Sequence, residues 1–398
     1  MRRVLAPVLT LLLVVGVGAA IFLSIREQRS RQAEEEALAQ QAEVTPLEPL
    51  GIRVIVALPL EGWLREAATR FNSQERQQGG YRLQVEVIAE DGLSARNNWA
   101  RGSYDPLPTA WIAESRTWVD QANEAAQGRT GQDIFLLGGR YRAQPIALSP
   151  LVWGIWQDAY QSLSSHFNRE HISWLEMHEA ALQRRWENIG GSSSEGLFRL
   201  VVAHPRRDPA GLTAMVGAAG AYYQKPNVSS EELQDPEFLA WLAVKLDTVV
   251  DFSPFGAENM LLFGRSNGDA GQILESYLLG QMESLQNRWE QPLRIIYPDP
   301  VAWFDFPYAV YMGPETNATE KEAALLFKEY LLSSEEQAQA LEFGLRPACA
   351  ECPSDGGLIA QWSSVGVAVN VPSSSRMRGA SRSGLDALTA WYVASYED

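Results

Sequence analysis

The chain has 398 residues, 46% of them hydrophobic, enough to bury a large core and to hold more than one domain-sized unit. A formal net charge of -16 repels phosphate backbones and anionic headgroups, which argues against a nucleic-acid partner. Only two cysteines, Cys349 and Cys352, are present, which excludes a disulfide scaffold and a cysteine-rich zinc module.

The N-terminus carries the strongest local signal. Arg2 and Arg3 precede an uncharged stretch, residues 4–25. A bilayer core needs roughly 20 such residues, whereas a cleaved signal peptide has an apolar region of about 7–15. Gly18-Ala19-Ala20 is a weak cleavage site, and Ile21-Phe22-Leu23 prolongs the apolar run past it. No lipobox cysteine is present. The segment 1–25 therefore reads as an uncleaved transmembrane anchor. Arginines flank both ends, so charge alone does not orient it. Residues 26–50 read as a polar stalk, broken by Pro46 and Pro49.

A globular pattern begins at Gly51. Residues 52–58 form a short apolar run of buried-strand type. Pro59 stands at a first helical position, and Leu60, Leu64, Ala67, Ala68 and Phe71 recur at helical spacing up to Gly79-Gly80. Residues 81–87 then alternate as a strand with one wetter face. Further strands are expected at 148–155, 198–203, 293–297 and 308–312. Helix starts are expected at Asp208-Pro209 and Asp235-Pro236, where an acceptor precedes proline, and at the boxes Thr319/Glu322 and Ser334/Gln337, the last helix closed by Gly344. Helices alternating with apolar strands predict an α/β class. Residues 192–194 and 373–384 read as flexible loops.

Several stretches, in this order, resemble the bacterial extracellular solute-binding proteins related to molybdate-binding proteins. They are WLREAATRFN (63–72), PTAWIAESRTWVDQAN (108–123), LSPLVWGIW (148–156), DPAGLTAMVGAAGAYY (208–223), GRSNGDAGQILESYL (264–278), IYPDPVAWFDFPYAV (296–310) and a last one within 323–348. The resemblance spans roughly residues 52–398. It implies a type II periplasmic-binding fold: two α/β lobes joined by crossing strands near 148–155 and 297–311. Residues 51–150 would begin lobe one, 151–302 would form lobe two, and 303–398 would return to lobe one. It also implies an extracytoplasmic body, a small solute held between the lobes, no cofactor, and a partner that is an ABC transporter permease or a von Willebrand A domain protein. One departure concerns specificity. Oxyanion-binding relatives place a serine after the first strand, where this chain has Leu58-Pro59-Leu60-Glu61; Glu61 would repel an anion and Pro59 has no N–H to offer.

Enzyme signatures are wanting. The four histidines, His166, His171, His178 and His204, are spaced poorly for one zinc ion, and Gly190–Ser194 fails the G-x-S-x-G nucleophile elbow. Asp299 and Asp305 flank Trp303 and are the carboxylate pair to weigh for glycosidase chemistry, although with 49 acidic residues chance pairs abound. Cys349 and Cys352 have redox spacing but follow a helix and precede Pro353, so a small structural disulfide is the expectation. The segments expected to face the cleft are Pro59, Leu60, Glu61 and Trp63; Glu114 and Ser115; Ser149; Asp208 and Gly211; Ser266 and Asp269; and Trp303 with Asp305. Helix N-termini there offer unpaired N–H groups, and Trp63 and Trp303 offer flat apolar walls.

Overall fold

The computed structural model describes residues 47–250, 252, 256–290, 293–349 and 351–397. The expected anchor, and the stalk as far as residue 46, lie outside the described residues. Among the described residues no helix is long and apolar enough to cross a membrane.

The first sheet is built on β1 (Pro49–Ala57), whose inner residues Val54, Ile55 and Val56 are fully buried. In order its strands are β2 (Gln77–Gln78), β3 (Tyr81–Glu90), β1, β4 (Ala110–Ile112), β11 (Pro307–Val310) and β5 (Gln144–Pro145). β1 and β4 run parallel, with Val54 opposite Ala110, and β11 runs antiparallel to β4, with Tyr308 opposite Ile112. Helices α1 (Glu61–Ser73), α2 (Gly92–Arg101) and α3 (Arg116–Thr130) each follow a strand of this sheet.

The second sheet centres on β6 (Ala147–Trp156), buried almost throughout, as its unbroken apolar run requires. β8 (Ala270–Leu274), β9 (Leu293–Ile296), β10 (Trp303–Phe304) and β12 (Arg346–Pro347) all pair with β6 in antiparallel register, and β7 (Leu200–Val201) runs parallel to β8. Around it lie α4 (Gln157–Phe167), α5 (Trp174–Gln183), α6 (Pro209–Tyr223), α7 (Pro236–Leu246), α8 (Gly256–Phe263) and α9 (Glu275–Trp289). The chain passes from the first sheet to the second between β5 and β6 and returns between β10 and β11. In that return Phe306 takes φ 33°, a conformation a bulky side chain adopts only under strain. Its neighbours hold it there: its N–H donates to Glu114 O and its carbonyl accepts from Ile146 N–H.

The C-terminal part supplies α10 (Ala318–Leu331), α11 (Ser334–Leu341), α12 (Gly357–Gln361) and α13 (Arg382–Tyr396). Several local expectations shift. Helix α1 begins at Glu61, after a 3-10 turn over Leu58–Leu60, and stops at Ser73, well before Gly79-Gly80. The caps of α10 and α11 are Asn317 with Glu320 and Ser333 with Glu336, a residue or two ahead of the expected boxes, because an equally good acceptor precedes each. The stretch 373–384 is no loose loop: Ser373–Ser375 form a 3-10 turn, Arg376 bridges to Val301, and Met377 packs onto Gly220 where a Cβ would collide with it. Helix α13 packs on the turn Glu232–Gln234, and Tyr392 on Phe252, so the C-terminal segment reaches elements of the second sheet rather than only those of the first.

Candidate functional site

The strand-to-helix junctions of the first sheet differ in what they expose. After β3, Asp91 caps α2 by accepting the Ser94 N–H at 2.9 Å. After β4, the backbone carbonyl of Glu114 accepts the N–H groups of Asp305 (3.1 Å) and Phe306 (3.3 Å), tying the junction to the returning strand. The Glu114 side chain is buried against Gly92, where any Cβ would overlap its carboxyl, and its Oε2 has no hydrogen-bond partner. Burial above all, with the Asp208 and Asp91 carboxylates adding to it, pushes the Glu114 pKa up to about 8 against the opposing backbone N–H groups. Ser115 is the N-cap residue of α3, yet its hydroxyl makes no cap bond. Asp305 supplies the acceptor instead: its Oδ1 takes the Arg116 N–H at 3.0 Å.

On the second-sheet side, Asp208 caps α6 through the Ala210 N–H at 2.8 Å, with Pro209 at the first helical position. Gly211 is needed one residue on, since a Cβ there would run into the Ala203 carbonyl oxygen. The second sheet also carries a buried ionic network. Arg346 on β12 donates to both Glu275 oxygens at the start of α9 (2.6 and 2.8 Å) and to Tyr297 Oη (3.0 Å), and it also reaches the Ala368 carbonyl. It fastens the C-terminal segment to the second sheet.

A cavity of about 390 Å³ opens between these elements. Ser115, Arg116, Leu212, Thr213, Trp303, Asp305 and Arg376 are on its wall. Trp303 is half-buried, with the Arg376 guanidinium 5.4 Å from its ring centroid. The same guanidinium lies 3.7 Å from Asp305 Oδ2. Burial raises the Asp305 pKa, and Arg376 opposes that rise.

Of the residues expected at the cleft, Ser115, Trp303 and Asp305 therefore share one cavity, with Glu114, Asp208 and Gly211 in the junctions that shape its surroundings. The others stand apart. Trp63 and Leu60 are fully buried in the core, so Trp63 cannot serve as a cleft wall. Glu61 is paired with Arg65 at 2.7 Å along α1, and Pro59 is exposed on the preceding turn. Ser149 is fully buried, accepting the Ser276 N–H at 3.0 Å and donating to its hydroxyl. Asp269 does not cap a helix: it accepts from the Arg199 N–H (2.8 Å) and from Arg265 Nε (3.0 Å). Ser266 is exposed, its hydroxyl donating to the Phe263 carbonyl. Asp299 lines a different depression from Asp305, so the two carboxylates weighed for glycosidase chemistry do not face one cavity. Cys349 and Cys352 are joined, with Cα atoms 5.5 Å apart. Among the described residues no group of three His, Cys, Asp or Glu side chains is placed to hold a metal ion. Arg116 and Arg376 escaped the sequence reading. The first lies one residue past the singled-out Glu114-Ser115, and the second sits in a Ser/Arg/Gly-rich stretch whose partners are remote in sequence.

Solved structures share this fold across almost their full length. An ABC-transporter solute-binding protein from Agrobacterium radiobacter K84, in complex with ribitol, is 15% identical with a TM-score of 0.56, over 89% of this chain and 100% of that one. A ferric-binding protein from Campylobacter jejuni is 11% identical with a TM-score of 0.53, over 87% and 98%. A sulfate-binding protein from Mycobacterium tuberculosis H37Rv is 14% identical with a TM-score of 0.50, over 85% and 96%. None of the curated proteins compared with this chain matches it. At these identities the likeness is one of fold: the two-lobed α/β arrangement of type II periplasmic binding proteins. The family model for bacterial extracellular solute-binding proteins matches residues 52–346. With most of its length covered by that model, the chain belongs to the bacterial extracellular solute-binding proteins, a family of binding proteins with an extracytoplasmic body.

Proposed function

We propose that this protein captures a small polar solute between two lobes and delivers it to an ABC-type transporter, its body held at the membrane by residues 4–25. Lobe one comprises residues 51–150 with the return from 303 as far as α11, and lobe two residues 151–302, with the C-terminal segment packed on it. The observation that carries the reading is the cavity where Ser115 and Arg116 from the first sheet's β4–α3 junction meet Leu212 and Thr213 of α6, beside Trp303 and Asp305 on the return strand. In open α/β sheets, ligands bind beyond the carboxyl ends of strands, which is where these junctions lie. A flat aromatic face beside a few fixed polar groups suits capture of a small molecule.

Two measurements test it. A thermal-shift screen of the full-length protein in detergent, across anions, sugars, amino acids, amines and peptides, should find a stabilising solute. At 100 times its dissociation constant a ligand adds about 2.7 kcal/mol. A flat response across the whole panel would instead favour an assembly module of a membrane complex, such as one with a von Willebrand A domain partner. For the anchor, the protein should remain in the membrane fraction after an alkaline carbonate wash. Soluble protein with an N-terminus near Ile21 would make residues 4–25 a signal peptide.

A further inference from the structure

Resting on the solute-capture reading of the same cavity, we infer that its solute is an organic cation of guanidinium or ammonium type, and that Arg376 is a tethered occupant which the solute displaces. The cavity already binds such a group. The Arg376 guanidinium lies over the Trp303 ring at 5.4 Å and against Asp305 Oδ2 at 3.7 Å. A π-face combined with a carboxylate is the usual cradle for a cation. The backbone on either side fixes this placement: Val301 N–H donates to Ser375 O at 2.7 Å and Met377 N–H to Val301 O at 2.8 Å. Arg376 itself is only loosely held by its charge partner, since 3.7 Å exceeds hydrogen-bond length.

Two of the cavity's other arginines are neutralised by carboxylates of the same wall. Arg116 pairs with Asp120 (2.9 Å) and Arg382 with Glu124 (3.4 Å) and Asp386 (3.5 Å). Arg378 also lines the cavity but is exposed, where water and salt screen its charge. Moving Arg376 aside for an anion or a neutral sugar would leave Asp305 without its counter-charge in a largely buried place, an arrangement proteins avoid. A cationic solute restores both contacts. The net charge of -16 also draws cations toward the body from a distance. The lack of any three-ligand metal cluster among the described residues directs this preference to an organic cation rather than a metal ion.

The test uses the full-length protein in detergent and three probes: agmatine, sulfate and ribitol, with affinities from titration calorimetry. Agmatine should bind, and sulfate and ribitol should not. Arg376→Ala, which removes the tethered competitor, should tighten agmatine at least three-fold. Asp305→Asn, which keeps an acceptor for the Arg116 N–H, should weaken it at least ten-fold with the melting temperature of the free protein held. Trp303→Leu serves as the second variant should Asp305→Asn fail to fold, and it too should weaken agmatine. Binding of sulfate or ribitol without agmatine would overturn the cation assignment while leaving solute capture intact. Agmatine binding that ignores all three substitutions would place the cation elsewhere and overturn the site. No binding of any probe by the wild type or by Arg376→Ala would overturn the cation inference, and only a flat response across the wider screen would overturn solute capture as well.

Discussion

The β1–α1 and β4–α3 junctions occupy equivalent positions, each carrying the chain from a strand of the first sheet into a helix, yet they have opposite character. The first turns inward. Leu60 and Trp63 are sealed in the core, and the charge of Glu61 is neutralised by Arg65 on its own helix. The second is polar and buried, with Glu114 lacking a partner for one oxygen and α3 capped not by its own Ser115 but by Asp305, 189 residues away. A strand-to-helix junction thus comes to line a cavity through what the fold places opposite it. The chain returning from β10 to β11 supplies Trp303 and Asp305, and the Asp305 N–H meets the Glu114 carbonyl just past β4.

The sharpest way to break this contrast is to truncate each side. Trp63→Ala should cost about 3–5 kcal/mol in urea unfolding, as large-to-small changes in a packed core do. Affinity for solute per folded molecule should stay unchanged; a fall in affinity without loss of stability would return Trp63 to the cleft.

A pH titration separates the junctions next. The folded Glu114 pKa is about 8 against its ordinary 4.5, so between those values the folded protein holds a proton that the unfolded chain has released. The contribution of Glu114 to stability should accordingly be fully present below about 4.5 and be lost as pH rises toward 8, by up to about 1.4 kcal/mol per pH unit. Asp208 and Asp305 shift in the same direction. Unfolding curves of Glu114→Gln across that range should lack its share of the slope; an unchanged slope would mean that Glu114 is ionised in the folded protein.

Trp303→Ala probes the cavity directly. A drop of about ten-fold in affinity for an identified solute, near 1.4 kcal/mol, is expected with little change in melting temperature. Unfolding with affinity intact would make Trp303 a packing residue like Trp63. The smallest effect belongs to Glu61→Ala. Its ion pair with Arg65 is largely solvated, so stability should move by no more than about 0.5 kcal/mol and solute affinity not at all. A large affinity change in calorimetry would bring the first junction back to the site.

What the sequence determined by itself is whatever depends on neighbours a few residues apart. The apolar run of β6, the Asp208-Pro209 and Asp235-Pro236 helix starts and the α/β alternation were all legible, because propensity, capping and burial period act locally. Even there, boundaries slipped where two acceptors competed, as at Asn317 against Thr319. The tertiary structure alone decided which residues share the cavity. Ser115, Leu212, Trp303 and Arg376 come from four distant stretches, and no spacing rule links them. Trp63 and Trp303 look alike as letters, both beside acidic residues at element ends, and only long-range packing buried one and left the other half-open. Arg376 shows the limit most plainly. Its Ser/Arg/Gly-rich surroundings carry a local signal for looseness, and its order comes from hydrogen bonds to Val301 made by its two flanking residues, contacts whose free energy no local pattern encodes.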